Sequence, residues 1–217
     1  MPEQLPSSSI TSALPIPSEI EKGIVHESVE IIPMNTESEE HIQAAHRLDA
    51  ESASDGMLDE VGKPETLDPE EFDAWIHSKG IWKSLYLGSI QGHPLSMFGN
   101  TFQEEASHKQ ALEKGNFIRP EEKGEEFATF VPEDLDGEGS LSASLTRQVV
   151  SARFAADPKL DYLIEYITHD DDNVLDSDEV RVLTDLGFIQ ATTIQYSKEE
   201  EELSTGFIIR RSDFSAQ

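Results

Sequence analysis

Phe127-Ala128-Thr129-Phe130-Val131 runs into Pro132-Glu133-Asp134-Leu135-Asp136-Gly137-Glu138-Gly139 and then into Ser140-Leu141. The first five residues read as a buried strand, and Pro132 closes it because proline cannot donate to a ladder. After Gly137 and Gly139, the apolar residues Leu141, Leu145, Val149 and Val150 fall at helical spacing. The stretch is thus a strand, an acidic glycine-containing connection, and a helix.

Working upstream, Trp82–Ile90 and Leu95–Phe102 are strand-like and joined around Gln91-Gly92-His93-Pro94, which predicts a hairpin. A short helix is expected around Ala106–Leu112. Asp68, Pro69 and Glu71 form a capping box with proline at the first helical position, and Gly80 stops that helix. Val29-Glu30-Ile31-Ile32-Pro33 reads as a first strand. Thr36 and Glu39 then open a helix that ends near Asp49. Downstream, Leu160–Ile167 fits a helix or a strand equally well. Asp176 and Glu179 start a short helix ended by Gly187, and Phe188–Tyr196 and Gly206–Arg210 are strands.

The chain has 217 residues and no cysteine, and 16 Lys+Arg against 44 Asp+Glu leave a formal charge of −28. Lack of cysteine removes disulfides, thiolate metal sites and thiol nucleophiles. The charge disfavours binding to phosphate backbones and anionic membranes, and it leaves room for a basic protein partner. No apolar stretch reaches the length of a membrane span, and Met1–Pro17 has no secretory signal. A cytoplasmic location is expected. Residues 1–24, rich in Pro and Ser, are expected to be a disordered tail, with one domain over 25–213.

The order strand, two helices, hairpin, strand, helix, ambiguous element, helix, two strands defines an α/β (α+β) domain. Its sheet would be mixed, mostly antiparallel and flanked by helices. With Val29–Pro33, Pro94-Leu95-Ser96-Met97-Phe98-Gly99 and Leu186-Gly187-Phe188, this order resembles the GCN5-related N-acyltransferase (GNAT) family. The resemblance implies acyl-CoA-dependent transfer to an amine. It implies acetyl-CoA held by Val131, Gly137, Gly139, Ser140 and Asn173, with backbone N–H groups at a helix start cradling its pyrophosphate. Glu126, beside the fourth strand, is the expected base, and N–H groups near Val131 would polarise the thioester carbonyl. The family's Gln/Arg-x-x-Gly-x-Gly/Ala pattern is altered: Asp136 or Asp134 stands at the basic position, and Leu183 stands where a tyrosine acid is frequent. The reduced pattern leaves room for weakened or lost catalysis.

Two alternatives share the acidic residues. Asp134–Ser142 follows an EF-hand calcium loop until Leu145 takes the place of its bidentate Glu. Thr168–Glu179 has that Glu but lacks the first Asp, and Leu160–Ile167 would be its entering helix. The second alternative is an acidic interaction module or nucleic-acid mimic.

Overall fold

The computed structural model describes residues 29–55, 68–78, 80–90, 92–131, 140–169, 177–195 and 203–214. The expected tail, residues 1–24, lies outside them. In chain order the strands are β1 (Val29–Pro33), β2 (Trp82–Ile90), β3 (His93–Gln103), β4 (Gly124–Phe130), β5 (Tyr162–His169), β6 (Ile189–Gln195) and β7 (Leu203–Arg210). The helices are α1 (Glu39–Asp55), α2 (Pro69–Ile76), α3 (Ala106–Lys114), α4 (Ser140–Ala156), α5 (Asp178–Asp185) and α6 (Arg211–Phe214).

The strands form one seven-stranded sheet in the order β1-β2-β3-β4-β5-β7-β6. Every neighbouring pair is antiparallel except β4 and β5. Alternation along the strands sends side chains to two helical layers. On one face, α4 and α5 cover Met97, Phe127, Leu163, Ile167, Phe207 and Ile209. On the other, α1 and α2 cover Leu87 and Phe98, while α3 and Ile118 cover Tyr162, Ile164 and Ile208.

The capping box predicted at α2 is present. Asp68 Oδ1 accepts from the N–H groups of Glu70 and Glu71, and Glu71 Oε2 accepts from the Asp68 N–H. Gly80 and Gly187 leave their helices at φ +86° and +88°, a conformation that costs glycine little. The first helix extends to Asp55, past the expected end near Asp49, and its first turn is closed by Ser38, whose carbonyl accepts from Ile42.

The ambiguous run is a strand. Tyr162, Leu163 and Ile164 are each 0% exposed, because helices cover β5 on both faces. A strand buried on both sides loses its polar alternation, so its apolar spacing imitates a helix. The entering helix required by the second calcium loop is therefore absent. No helix among the described residues is long and apolar enough to cross a membrane.

Candidate active site

β4 and β5 pair over three positions only, Gly124↔Tyr162, Glu125↔Leu163 and Glu126↔Ile164. β4 then continues to Phe130 and β5 to His169. Their outer edges stay paired, Thr129 with Gly99 and His169 with Leu203. The two strands are thus parted over their C-terminal halves, each held by its own side of the molecule. Thr129 Oγ1 lies 3.2 Å from Thr146 Oγ1 of α4, whereas Thr168 and His169 bond to Ser204 and Thr205 of β7 at 3.0 and 2.9 Å. Backbone groups on the inner edges of such a cleft lack strand partners and must be satisfied by side chains, water or ligand.

On the α3 face, Glu126 projects from the last paired position of β4. Its Oε1 accepts from His108 Nδ1 at 2.7 Å and from the Glu105 N–H at 2.8 Å. Both side chains are buried. The His108 ring also lies 4.3 Å from that of Tyr166, which stands on β5 beyond the point of separation. This pair therefore bridges the base of the cleft. Burial alone would lower the His108 pKa, but the Glu126 hydrogen bond and the charges of Glu126, Glu105 and Glu104 outweigh it and hold the imidazole above its ordinary value. Beside it, the Tyr162 hydroxyl donates to Glu104 at 2.9 and 2.7 Å. Burial raises the Glu104 pKa, and the Tyr162 bond opposes that rise.

On the α4–α5 face, Arg153 Nε and Nη2 clamp Glu125 at 2.6 and 2.8 Å. Glu165 is the first β5 residue past the paired segment and is 5% exposed. Burial, and after it the Glu179 charge, push its pKa well above the carboxylate range, with Thr129 opposing.

Of the predicted site residues, Glu126 stands at the base of the cleft, buried and paired. Val131 follows β4, half-buried against the cluster that contains Leu141, Leu145 and Val149. Ser140 opens α4. Gly137, Gly139 and Asn173 lie outside the described residues, as do most positions of both acidic loops. Among the described residues no His, Asp and Glu cluster suited to a metal ion occurs. Leu183 is packed into the core, so the usual tyrosine position holds no proton donor.

The sequence reading missed His108, Tyr162 and Glu165. His108 sits 18 residues from Glu126 with no local signature, but Glu165 had one. A carboxylate inside Leu163-Ile164-Glu165-Tyr166-Ile167 becomes conspicuous once that run is taken as a buried strand.

No protein-family model matches the sequence, and no curated protein matches it. Solved structures do. AAC(6')-Ib, solved with ribostamycin and coenzyme A, superposes with TM-score 0.60 at 12% identity, over 87% of this chain and 97% of that one. The spermidine/spermine N-acetyltransferase SpeG from Vibrio cholerae gives TM-score 0.57 at 12% identity, over 87% and 97%. An N-acetyltransferase from Staphylococcus aureus Mu50 gives 0.54 at 14%, over 84% and 98%. The chain has the fold of the GCN5-related N-acyltransferases.

Proposed function

We propose that this protein transfers an acyl group from acyl-CoA to an amine. The observation that carries the reading is the parting of β4 and β5 after Glu126↔Ile164, in a sheet of this topology. An open strand edge suits an extended, amide-containing arm, since its N–H and C=O groups are those a further strand would use. A coenzyme A complex among the structural neighbours supports this choice of ligand.

The inner edges of β4 and β5 past Glu126↔Ile164 fit such a group, since their pairing with one another has ended. In this reading the inner edge of β4, from Thr129 to Val131, holds the arm. The start of α4 at Ser140, with Gly137, Gly139 and Asn173, receives the phosphates. When bound, acetyl-CoA supplies the activated acyl group. The amine enters from the α3 face and must be neutral to attack. Glu126 and His108 together take its proton, the carboxylate fixing Nδ1 of the ring. The Val131 N–H would polarise the thioester carbonyl, Pro132 having no N–H to add. The charge of −28 supports a cationic acceptor, which it would steer towards the protein. A cytoplasmic location and the capacity to engage a basic protein belong to the same proposal, whereas nucleic acid and membrane are not its partners.

Calorimetric titration of acetyl-CoA into calcium-free protein at low salt tests the reading. Saturable binding with Kd of about micromolar order supports it, followed by thiol release when polyamines are added. Absence of heat at roughly millimolar ligand would withdraw it.

A further inference from the structure

Alternation along β4 sends Ala128 and Phe130 to the face of Glu126, and Phe127, Thr129 and Val131 to the other. The contacts agree. Phe127 lies in the core with α4 and α5, Thr129 meets Thr146 of α4, and Val131 packs against Leu141, Leu145 and Val149. On the Glu126 face the Phe130 ring lies beside that of Phe98, centroids 6.0 Å apart, and Phe98 is buried with α1 and α2. Exposure rises along this face, from 5% at Glu126 through a half-buried Ala128 to 38% at Phe130. Across the cleft, Tyr166 continues the row of Tyr162 and Ile164 beside α3, and Thr168 follows it on the same face. None of Ala128, Phe130, Tyr166 and Thr168 carries a charge, in a chain with 44 Asp and Glu. A lone exposed phenylalanine is ordinary on a protein surface. This one stands on the wall of a cleft, in line with a buried Glu–His pair.

We propose that the wall running from Glu126 over Ala128 to Phe130 is the acceptor subsite, and that it takes a primary amine carried on a compact aromatic or apolar body. The inference rests on the acyl-CoA reading and adds a substrate class to it. Four residues of strand span about 13 Å. That leaves room for a nitrogen at the Glu126–His108 pair, a short chain over the small side chain of Ala128, and a ring against Phe130. Removal of apolar surface from water and ring–ring contact both favour such a body. Tyr166 bounds the subsite across the cleft, its ring 4.3 Å from that of His108. The second ammonium of a polyamine would lie over Ala128 and Phe130, where neither strand presents a carboxylate on this face beyond Glu126. Its contact with a water-exposed ring is weak compensation for lost hydration. The net charge thus draws cations to the protein, and the wall decides among them.

The test follows thiol release from acetyl-CoA by the full chain with 2-phenylethylamine, propylamine and spermidine as acceptors. Calorimetric titration of 2-phenylethylamine, with coenzyme A in place of acetyl-CoA, reads binding without turnover. Wild type is expected to show a KM for 2-phenylethylamine about tenfold below those for propylamine and spermidine. Phe130→Ala should raise both KM and Kd for 2-phenylethylamine by about tenfold with kcat retained, since the ring supplies binding and no chemistry. The KM for propylamine, which is too short to reach the ring, should move far less. Phe130→Trp should keep the preference. Ala128→Leu fills the space between the pair and the ring, and should abolish the preference with Phe130 in place. Should a variant fail to fold in a urea titration, the ranking of the three amines in wild type decides.

A wild-type KM for spermidine equal to or below that for 2-phenylethylamine would overturn the subsite while leaving acyl transfer intact. So would a Phe130→Ala variant that weakens all three amines equally. Binding of acetyl-CoA without turnover of any amine would overturn the subsite and leave acyl-CoA binding. No heat from acetyl-CoA itself would overturn the acyl-CoA reading, and the subsite with it.

Discussion

Tyr162→Phe isolates one hydroxyl in the paired segment of β4 and β5 below the cleft. The Tyr162 side chain is 0% exposed, so the phenyl ring retains its packing against Leu112, Ile118 and Ile208. Only the donor to the two Glu104 oxygens, at 2.9 and 2.7 Å, is lost. A hydrogen bond to a charged group contributes roughly 1.5–3 kcal/mol, so about 2 kcal/mol of stability should disappear at neutral pH. For a domain of this size that lowers Tm by about 4–8 °C.

The loss depends on pH. Glu104 has a folded-state pKa above its ordinary value, so the native state holds this proton more tightly than the unfolded chain. Glu104 therefore subtracts stability as pH rises from the unfolded pKa through the folded one. Without the Tyr162 donor the folded value climbs further and the subtraction grows. At low pH the bond joins neutral groups and contributes only about 1 kcal/mol. Urea unfolding of both proteins at about pH 5 and about pH 8 should show a deficit that widens with pH. An equal deficit at both pH values, or one below about 0.5 kcal/mol at the higher, would refute the reasoning.

Two further substitutions probe the frame around the site. A Cβ on Gly99 would lie 2.5 Å from Val149 Cγ2, so Gly99→Ala should force α4 off β3 and cost about 1–3 kcal/mol. Adding Val149→Ala should recover part of the deficit in urea unfolding beyond simple additivity, and strict additivity would mean that the contact is not the cause. Arg153→Met strands the buried Glu125 carboxylate and should destabilise by about 3–5 kcal/mol. The double variant with Glu125→Leu should regain most of that, whereas no recovery would place the cost in the lost packing of Arg153.

Elements written in contiguous residues were legible. Asp68, Pro69 and Glu71 define the start of α2 within four positions, and the hairpin of β2 and β3 follows from two apolar runs around Gly92. β5 was not, since helical and buried-strand spacing coincide over eight residues and only the partners β4 and β7 decide between them. That ambiguity hid Glu165, because a carboxylate in an amphipathic helix faces water and in a two-sided strand cannot. Glu126 is singled out by its place beside the fourth strand, whereas its pairing with His108 depends on how α3 docks. The parting of β4 from β5 has no sequence signature of its own. It emerges from two strands anchored to different neighbours.

The position of β7 has a bearing on how the molecule comes into being. Although it follows β6 in sequence, β7 sits between β5 and β6, in the interior of the sheet. Just after it, Arg211 reaches back to the carbonyls of Phe154, Asp157 and Leu160, tying the last turn to the α4–β5 connection. During synthesis β5 therefore waits for residues 203–211 before its outer edge is satisfied, and the far wall of the cleft is the last part of the site to be built. A nascent chain released short of Arg211 would carry β5 with an open apolar edge, a substrate for aggregation or quality control. Only a chain that reaches Arg211 has both walls of the cleft in place.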